Sequence, residues 1–143
     1  MKEQTIDYTL RTTWQAVSRL YNEQAANYEG SMAIGFALLS IDKDKGTAAT
    51  EIAARMGMEI SSLTRTLKTL TEKGLITKHK NPSDGRGVLY ALTDLGREKR
   101  ELSKNTVRQF NEVVKNAVSP EKLAEFFAVA DCINQLITDK KIF

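Results

Sequence analysis

The sequence predicts a mainly helical protein carrying one small β-hairpin. Three observations lead there. Apolar residues recur at spacings of three and four through most of the chain, the pattern of amphipathic helices. That period gives way to strand-like runs only between Leu75 and Leu92, on either side of a loop dense in turn formers. Both prolines (Pro82, Pro120) and the glycines Gly30, Gly57 and Gly74 stand at junctions between periodic segments.

The elements follow in order. Ile6, Leu10, Trp14, Val17, Tyr21, Ala25 and Tyr28 form one face of a long first helix, expected from about Thr5 to Tyr28. Gly30 ends it, and Ser31 is placed to cap the next helix, Met32 to about Ile41, which is apolar almost all round and therefore expected to be buried. A polar turn, 42–46, follows. Thr47 is the expected cap of a third helix, Ala48 to Met56, with Ile52, Ala53 and Met56 facing inward. Gly57 breaks it. A fourth helix is expected over Ile60 to Lys73, with Ile60, Leu63, Leu67 and Leu70 on one stripe and Gly74 as its stop. Residues 75–80 and 88–92 read as two short strands. Thr93 or Asp94 caps a fifth helix running to about Val118, with Leu95, Leu102, Phe110, Val113 and Val114 as its apolar positions. Ser119-Pro120 then opens a last helix as cap plus first-turn proline. Its apolar residues, Leu123, Phe126, Phe127, Ala130, Ile133 and Ile137, need a partner surface.

At 143 residues, 41% hydrophobic and 27% charged, the chain has the balance of an ordinary globular domain. Its one cysteine, Cys132, cannot form an internal disulfide, and one cysteine with one histidine cannot build a zinc site, so no metal and no cofactor is expected. No nucleophile elbow, phosphate loop or metal-ligand spacing supports an enzyme. The polar N-terminus and the shortness of the longest apolar stretches, Met32 to Leu39 and Phe126 to Ala130, lead us to expect a cytoplasmic protein that does not engage a membrane.

Charge points to the middle third. Net charge is +3 overall, but residues 1–46 carry −1, residues 94–143 carry +1, and residues 47–93 carry +3 from seven Lys/Arg against four Asp/Glu. In that segment Ala53, Gly57 and Leu63 have the spacing of a helix-turn-helix. A small residue lets two helices cross closely, a glycine takes the left-handed turn, and an apolar residue on the second helix fixes the angle. With Leu63, Leu67 and Leu70 inward, the opposite face of the second helix shows Ser61, Arg65, Lys68, Thr69 and Glu72, with Ser62 and Thr64 nearby. Short hydroxyls allow close approach to base edges and phosphates, and an arginine can fork onto a guanine. Lys78, His79, Lys80 and Arg86 gather further cations on the hairpin, suited to a neighbouring minor groove. We therefore expect a winged helix-turn-helix DNA-binding region. The alternative is an interaction module that kept this scaffold and lost DNA binding.

The run Asn81-Pro82-Ser83-Asp84-Gly85-Arg86, continuing through alternating apolar residues to Leu92-Thr93 and Gly96, resembles the wing signature of the MarR family (multiple antibiotic resistance regulators) of bacterial transcriptional regulators. The stretch Ser61 to Arg65, then Leu67, Leu70 and Glu72 to Ile76, resembles that family's recognition helix and its exit into the wing. The resemblance implies that Arg86 enters the minor groove and that Asp84 holds the wing by pairing with a basic group. It implies a homodimer built from the first, fifth and sixth helices, reading a pseudo-palindromic duplex operator with two recognition helices. The implied organisation is a dimerisation helix over 1–30, a DNA-binding region over 31–93 with its hairpin at about 76–92, and dimerisation helices over 94–143. It further implies a repressor relieved by a small aromatic or phenolic effector. Arg11, Trp14, Tyr21, Met32 and Phe36 are the candidate effector pocket, with Tyr28 and Arg19 beside them; plain core or dimer packing is the other reading of the same residues. Members that sense oxidants use a cysteine in the first helix. This chain has none there, so Cys132 is expected to be a buried structural residue.

Overall fold

The computed structural model describes residues 3–83, 85 and 87–143. Its order is α1 (Ile6–Ala26), α2 (Met32–Leu39), β1 (Thr47–Ala48), α3 (Ala49–Met56), α4 (Ile60–Glu72), β2 (Ile76–Lys80), β3 (Val88–Leu92), α5 (Asp94–Ala117) and α6 (Pro120–Thr138). The expected class, mainly helical with a small hairpin, is what forms. The chain divides into two compact units, 1–106 and 107–143, with the boundary inside α5.

In the first unit the core gathers Ala37, Leu38 and Ile41 with Ile52, Ala53, Leu63, Leu67, Leu70, Leu75, Ile76 and Leu92. Local chemistry sets its boundaries. Ser31 caps α2 by accepting the Ile34 N–H at 3.3 Å. Gly57 takes φ +64° after α3, and the Met58 N–H reaches back to the Ala53 carbonyl at 2.9 Å. Gly74 repeats the device after α4 with φ +71°, and the Leu75 N–H bonds the Leu70 carbonyl at 3.0 Å. Thr93 opens α5 by accepting the Gly96 N–H at 3.0 Å while donating to the Gly74 carbonyl at 2.6 Å. The first half of α5 is tied to this unit by long cations. Arg100 Nε donates to the carbonyls of Leu38 (3.1 Å) and Ile41 (3.3 Å) at the end of α2, and Arg97 Nε donates to Lys43 O at 3.2 Å.

Several expectations change. Thr47 does not cap α3: it lies in β1, buried, and its hydroxyl accepts the Asp42 N–H at 2.9 Å, leaving Ala48 as an N-cap without a side-chain bond. The third strand, β1, was not expected. It pairs antiparallel with β3 (Thr47 opposite Tyr90, Ala48 opposite Leu89), so the hairpin is part of a three-stranded sheet ordered β1-β3-β2. Helix α2 stops two residues early, at Ser40, whose hydroxyl bonds the Phe36 carbonyl at 2.8 Å. Ile60 does not join the core stripe; it is 49% exposed. Leu95 is exposed as well.

In the second unit, Ser119 caps α6 by accepting the Lys122 N–H at 3.3 Å, with Pro120 in its first turn. Phe126 and Phe127 meet edge-on at 5.6 Å and are both exposed, as are Val113, Val129, Leu136 and Ile137. Cys132 is exposed in the single chain, where the sequence led us to expect burial.

Candidate nucleic-acid interface

The helix-turn-helix is built as its spacing required. Ala53 and Leu63 are buried where α3 and α4 cross, and Gly57 supplies the left-handed residue of the turn. Because Leu63, Leu67 and Leu70 are sunk in the core, the rotation of α4 is fixed. Ser61, Ser62, Thr64, Arg65 and Lys68 are all exposed; Thr69 is half-buried.

Hydrogen bonding sorts these groups. Thr64 Oγ1 donates to the Ile60 carbonyl (3.0 Å) and Thr69 Oγ1 to the Arg65 carbonyl (3.1 Å), so both hydroxyl protons are committed within the helix. Ser61 and Ser62 show no such bond among the described residues. Neither Arg65 nor Lys68 is ion-paired among them, so each carries its charge outward. Glu59 at the N-cap makes no side-chain cap bond.

On β2, Lys78, His79 and Lys80 are exposed. Alternation along the strand puts Lys78 and Lys80 on one face and Thr77 and His79 on the other, where Thr77 Oγ1 and His79 Nε2 lie 2.7 Å apart. The hairpin register runs Ile76–Leu92, Lys78–Tyr90 and Lys80–Val88. β2 is an edge strand whose outer residues are cationic. The backbone ladder ends in an Asn81 N–H to Gly87 O bond at 2.9 Å. Asp84 and Arg86, the expected wing-tip pair, lie outside the described residues.

Of the residues named for an effector, Tyr21 and Phe36 are brought into contact. Tyr21 is buried and packs edge-on against Phe36 at 5.6 Å, and the Met32 N–H donates to Asn22 Oδ1 at 3.0 Å. Burial raises the Tyr21 phenol above its ordinary range. Trp14 is 53% exposed, and Arg11 lies over the ring of Tyr8, 5.9 Å from its centroid, a contact the periodicity did not suggest. Sequence reasoning also missed Arg55, which fixes α3 by donating to the Ser40 carbonyl at 2.9 Å and pairing with Glu51 at 2.5 Å. The Glu51–Arg55 spacing of four was the available signal.

Known proteins share this arrangement. The chain is 33% identical over 73 residues to the HTH-type transcriptional regulator YdgJ of Bacillus subtilis, a match covering 51% of this chain and 44% of that protein. It is 26% identical over 108 residues to the HTH-type transcriptional regulator BilQ of Clostridioides difficile, covering 75% and 73%. The chain thus spans less than half of the first relative and about three quarters of the second. The fold superposes on Staphylococcus aureus MepR in its DNA complex with a TM-score of 0.83 at 18% identity, covering 93% of this chain and 98% of that one. At that identity the likeness is one of fold. The pattern of the MarR family matches residues 31–88, the segment running from α2 into the hairpin. The matched segment holds α3, the glycine turn, α4 and β2, the elements that fix the outer face of α4.

Proposed function

We propose that the protein is a sequence-specific, double-stranded-DNA-binding transcriptional regulator that acts as a homodimer. The observation that carries this reading is the outer face of α4. Its rotation is fixed by Leu63, Leu67 and Leu70, and it presents Ser61, Ser62, Arg65 and Lys68 to solvent. In this reading α4 enters the major groove, while Lys78, Lys80 and the wing-tip Arg86 serve the adjacent backbone and minor groove. Thr64 and Thr69 offer lone pairs and methyls rather than donors, and Asp84 steadies the wing.

Exposed apolar side chains support the dimer. In the first unit these are Ile6, Leu10 and Trp14 of α1, and in the second Phe126, Phe127, Val129 and Ile137 of α6. Such surface is ordinarily covered by a partner. We further propose repression by occupancy of the operator, relieved by a small aromatic or phenolic effector. Tyr21 and Phe36 form the aromatic floor, with Met32, Trp14 and Arg11 at its margins. The effector would act by favouring one spacing of the two recognition helices over another.

Selection from a pool of random duplexes tests the core of this reading. We expect an enriched pseudo-palindrome. Arg65→Ala should change the preferred base at one position per half-site, at about 1–3 kcal/mol per lost base contact. Lys78→Ala, Lys80→Ala and Arg86→Ala should weaken all duplexes alike and reduce the salt slope by about 1 each where a phosphate contact is lost. No enriched sequence, with binding indifferent to these substitutions, would instead mark a winged-helix interaction module.

A further inference from the structure

The N-terminal turn of α4 carries an exposed apolar group that the core does not explain. Ile60 is 49% exposed, whereas Leu63, Leu67 and Leu70 on the same helix are 4% or less. Isolated exposed isoleucines are common, so exposure alone says little. Position says more. Ile60 is the first residue of α4, immediately before Ser61 and one turn before Thr64. Residues four apart on a helix are surface neighbours. Thr64 commits its hydroxyl proton to the Ile60 carbonyl at 3.0 Å, so to an outside contact it has a methyl and lone pairs to offer rather than a donor. The leading turn of α4 therefore offers two kinds of group: the hydroxyls of Ser61 and Ser62, which are unbonded among the described residues, and two apolar groups one turn apart, the Ile60 side chain and the Thr64 methyl.

Base edges in the major groove present one apolar feature, the C5 methyl of thymine; adenine, guanine and unmodified cytosine present only donors and acceptors there. The first turn of a recognition helix is also the part that reaches base edges. We infer that Ile60, supported by the Thr64 methyl, reads a thymine methyl in each half-site and so determines specificity at that position. This inference rests on the DNA-binding reading above. It adds a hydrophobic determinant to a surface otherwise composed of hydroxyls and cations.

Replacement of thymine by deoxyuridine isolates the claim, because it removes the methyl and leaves the pairing edge unchanged. The duplex enriched by the full-length protein is substituted one thymine at a time, and affinity is measured at fixed salt. We expect one position per half-site at which deoxyuridine weakens binding about fourfold, the value of one buried methyl. At that position Ile60→Ala should bind the thymine duplex about as weakly as the wild type binds the deoxyuridine duplex, and should no longer distinguish the two. Arg65→Ala should keep the discrimination. Because Ile60 lies outside the core, its variant should keep the wild-type melting temperature. The inference is overturned if no thymine is methyl-sensitive, or if Ile60→Ala discriminates as well as wild type. If the wild type enriches no duplex at all, the DNA-binding reading falls and takes this one with it. Specific binding that ignores both the methyl and Ile60 removes the inference alone.

Discussion

The carbonyl of Leu75 occupies the space that a side chain on Gly96 would need. A Cβ built on Gly96 falls on the Leu75 carbonyl oxygen, far inside van der Waals contact, and lies 3.0 Å from the carbonyl carbon. That carbonyl cannot move aside freely, since it accepts the Thr93 N–H at 3.1 Å and leads directly into β2. At Gly96, helix α5 thus meets the exit of α4 backbone against backbone. In an ordinary helix, replacing glycine by alanine stabilises by roughly 0.5–1 kcal/mol. Here the sign should reverse: Gly96→Ala should cost about 3 kcal/mol or more, in the range of severe overpacking. Urea unfolding measures it directly, and a variant within about 0.5 kcal/mol of wild type would contradict the clash.

Thr93 holds the same junction from the other side. Its hydroxyl donates to Gly74 O and accepts from the Gly96 N–H, joining the stop of α4 to the start of α5 with one oxygen. Thr93→Val keeps the shape and loses both bonds, and should cost about 1–2 kcal/mol, the upper range for an N-cap. Thr93→Ser retains the oxygen and should lie within about 0.5 kcal/mol of wild type. Equal losses for valine and serine would show that the methyl, not the hydroxyl, matters.

The turn before β1 has an acid-sensitive element. The Asp42 carboxylate accepts the N–H groups of Asp44 (2.9 Å) and Lys45 (3.0 Å), which lowers its pKa from the ordinary 3.8, with Lys45 and Arg55 adding smaller attractions. A carboxyl with a depressed native pKa stabilises fully above its unfolded value, and this contribution fades as pH falls through the native one. The loss should therefore fall below about pH 4. Asp42→Asn should lie closest to wild type in acid and differ most at neutral pH. Carboxyl NMR titration of Asp42 provides the direct check: a midpoint at or above the ordinary value would refute the assignment.

The junctions were the most legible part of the sequence. Gly57, Gly74, Ser31 and Ser119 each needed only a local reason, a left-handed residue or a cap, and each is used that way. The inward stripe of α4 was legible because the period of a helix fixes direction. Period does not fix depth: Ile60 shares the flank of that stripe yet is exposed, as are Ile6 and Leu10 on α1. β1 could not be read because two residues carry no period; it exists through its pairing with β3. Nor could local pattern show that Arg100, 59 residues beyond Ile41, would cap the end of α2. Long-range bonds of this kind depend on the assembled fold. At the interface, the outward set on α4 followed from the stripe, whereas the back-bonding of Thr64 and Thr69 depends on rotamers that no spacing reveals.

The exposed faces of α1 and α6 give the last prediction. Phe126 and Phe127 are 58% and 54% exposed and meet each other edge-on. Two phenylalanines left in water forgo about 1.5–3 kcal/mol each relative to burial, a strong drive toward association. The wild type should sediment as a dimer at micromolar concentration, and its melting temperature should rise with protein concentration. Phe126→Glu combined with Phe127→Glu places two charges on that surface, and should yield a monomer whose melting temperature no longer depends on concentration. In this variant DNA affinity should fall more for the full palindrome than for an isolated half-site, because the half-sites are then bound independently. A wild-type monomer under these conditions would remove the symmetric operator from the proposed function while leaving the reading surface of α4 intact.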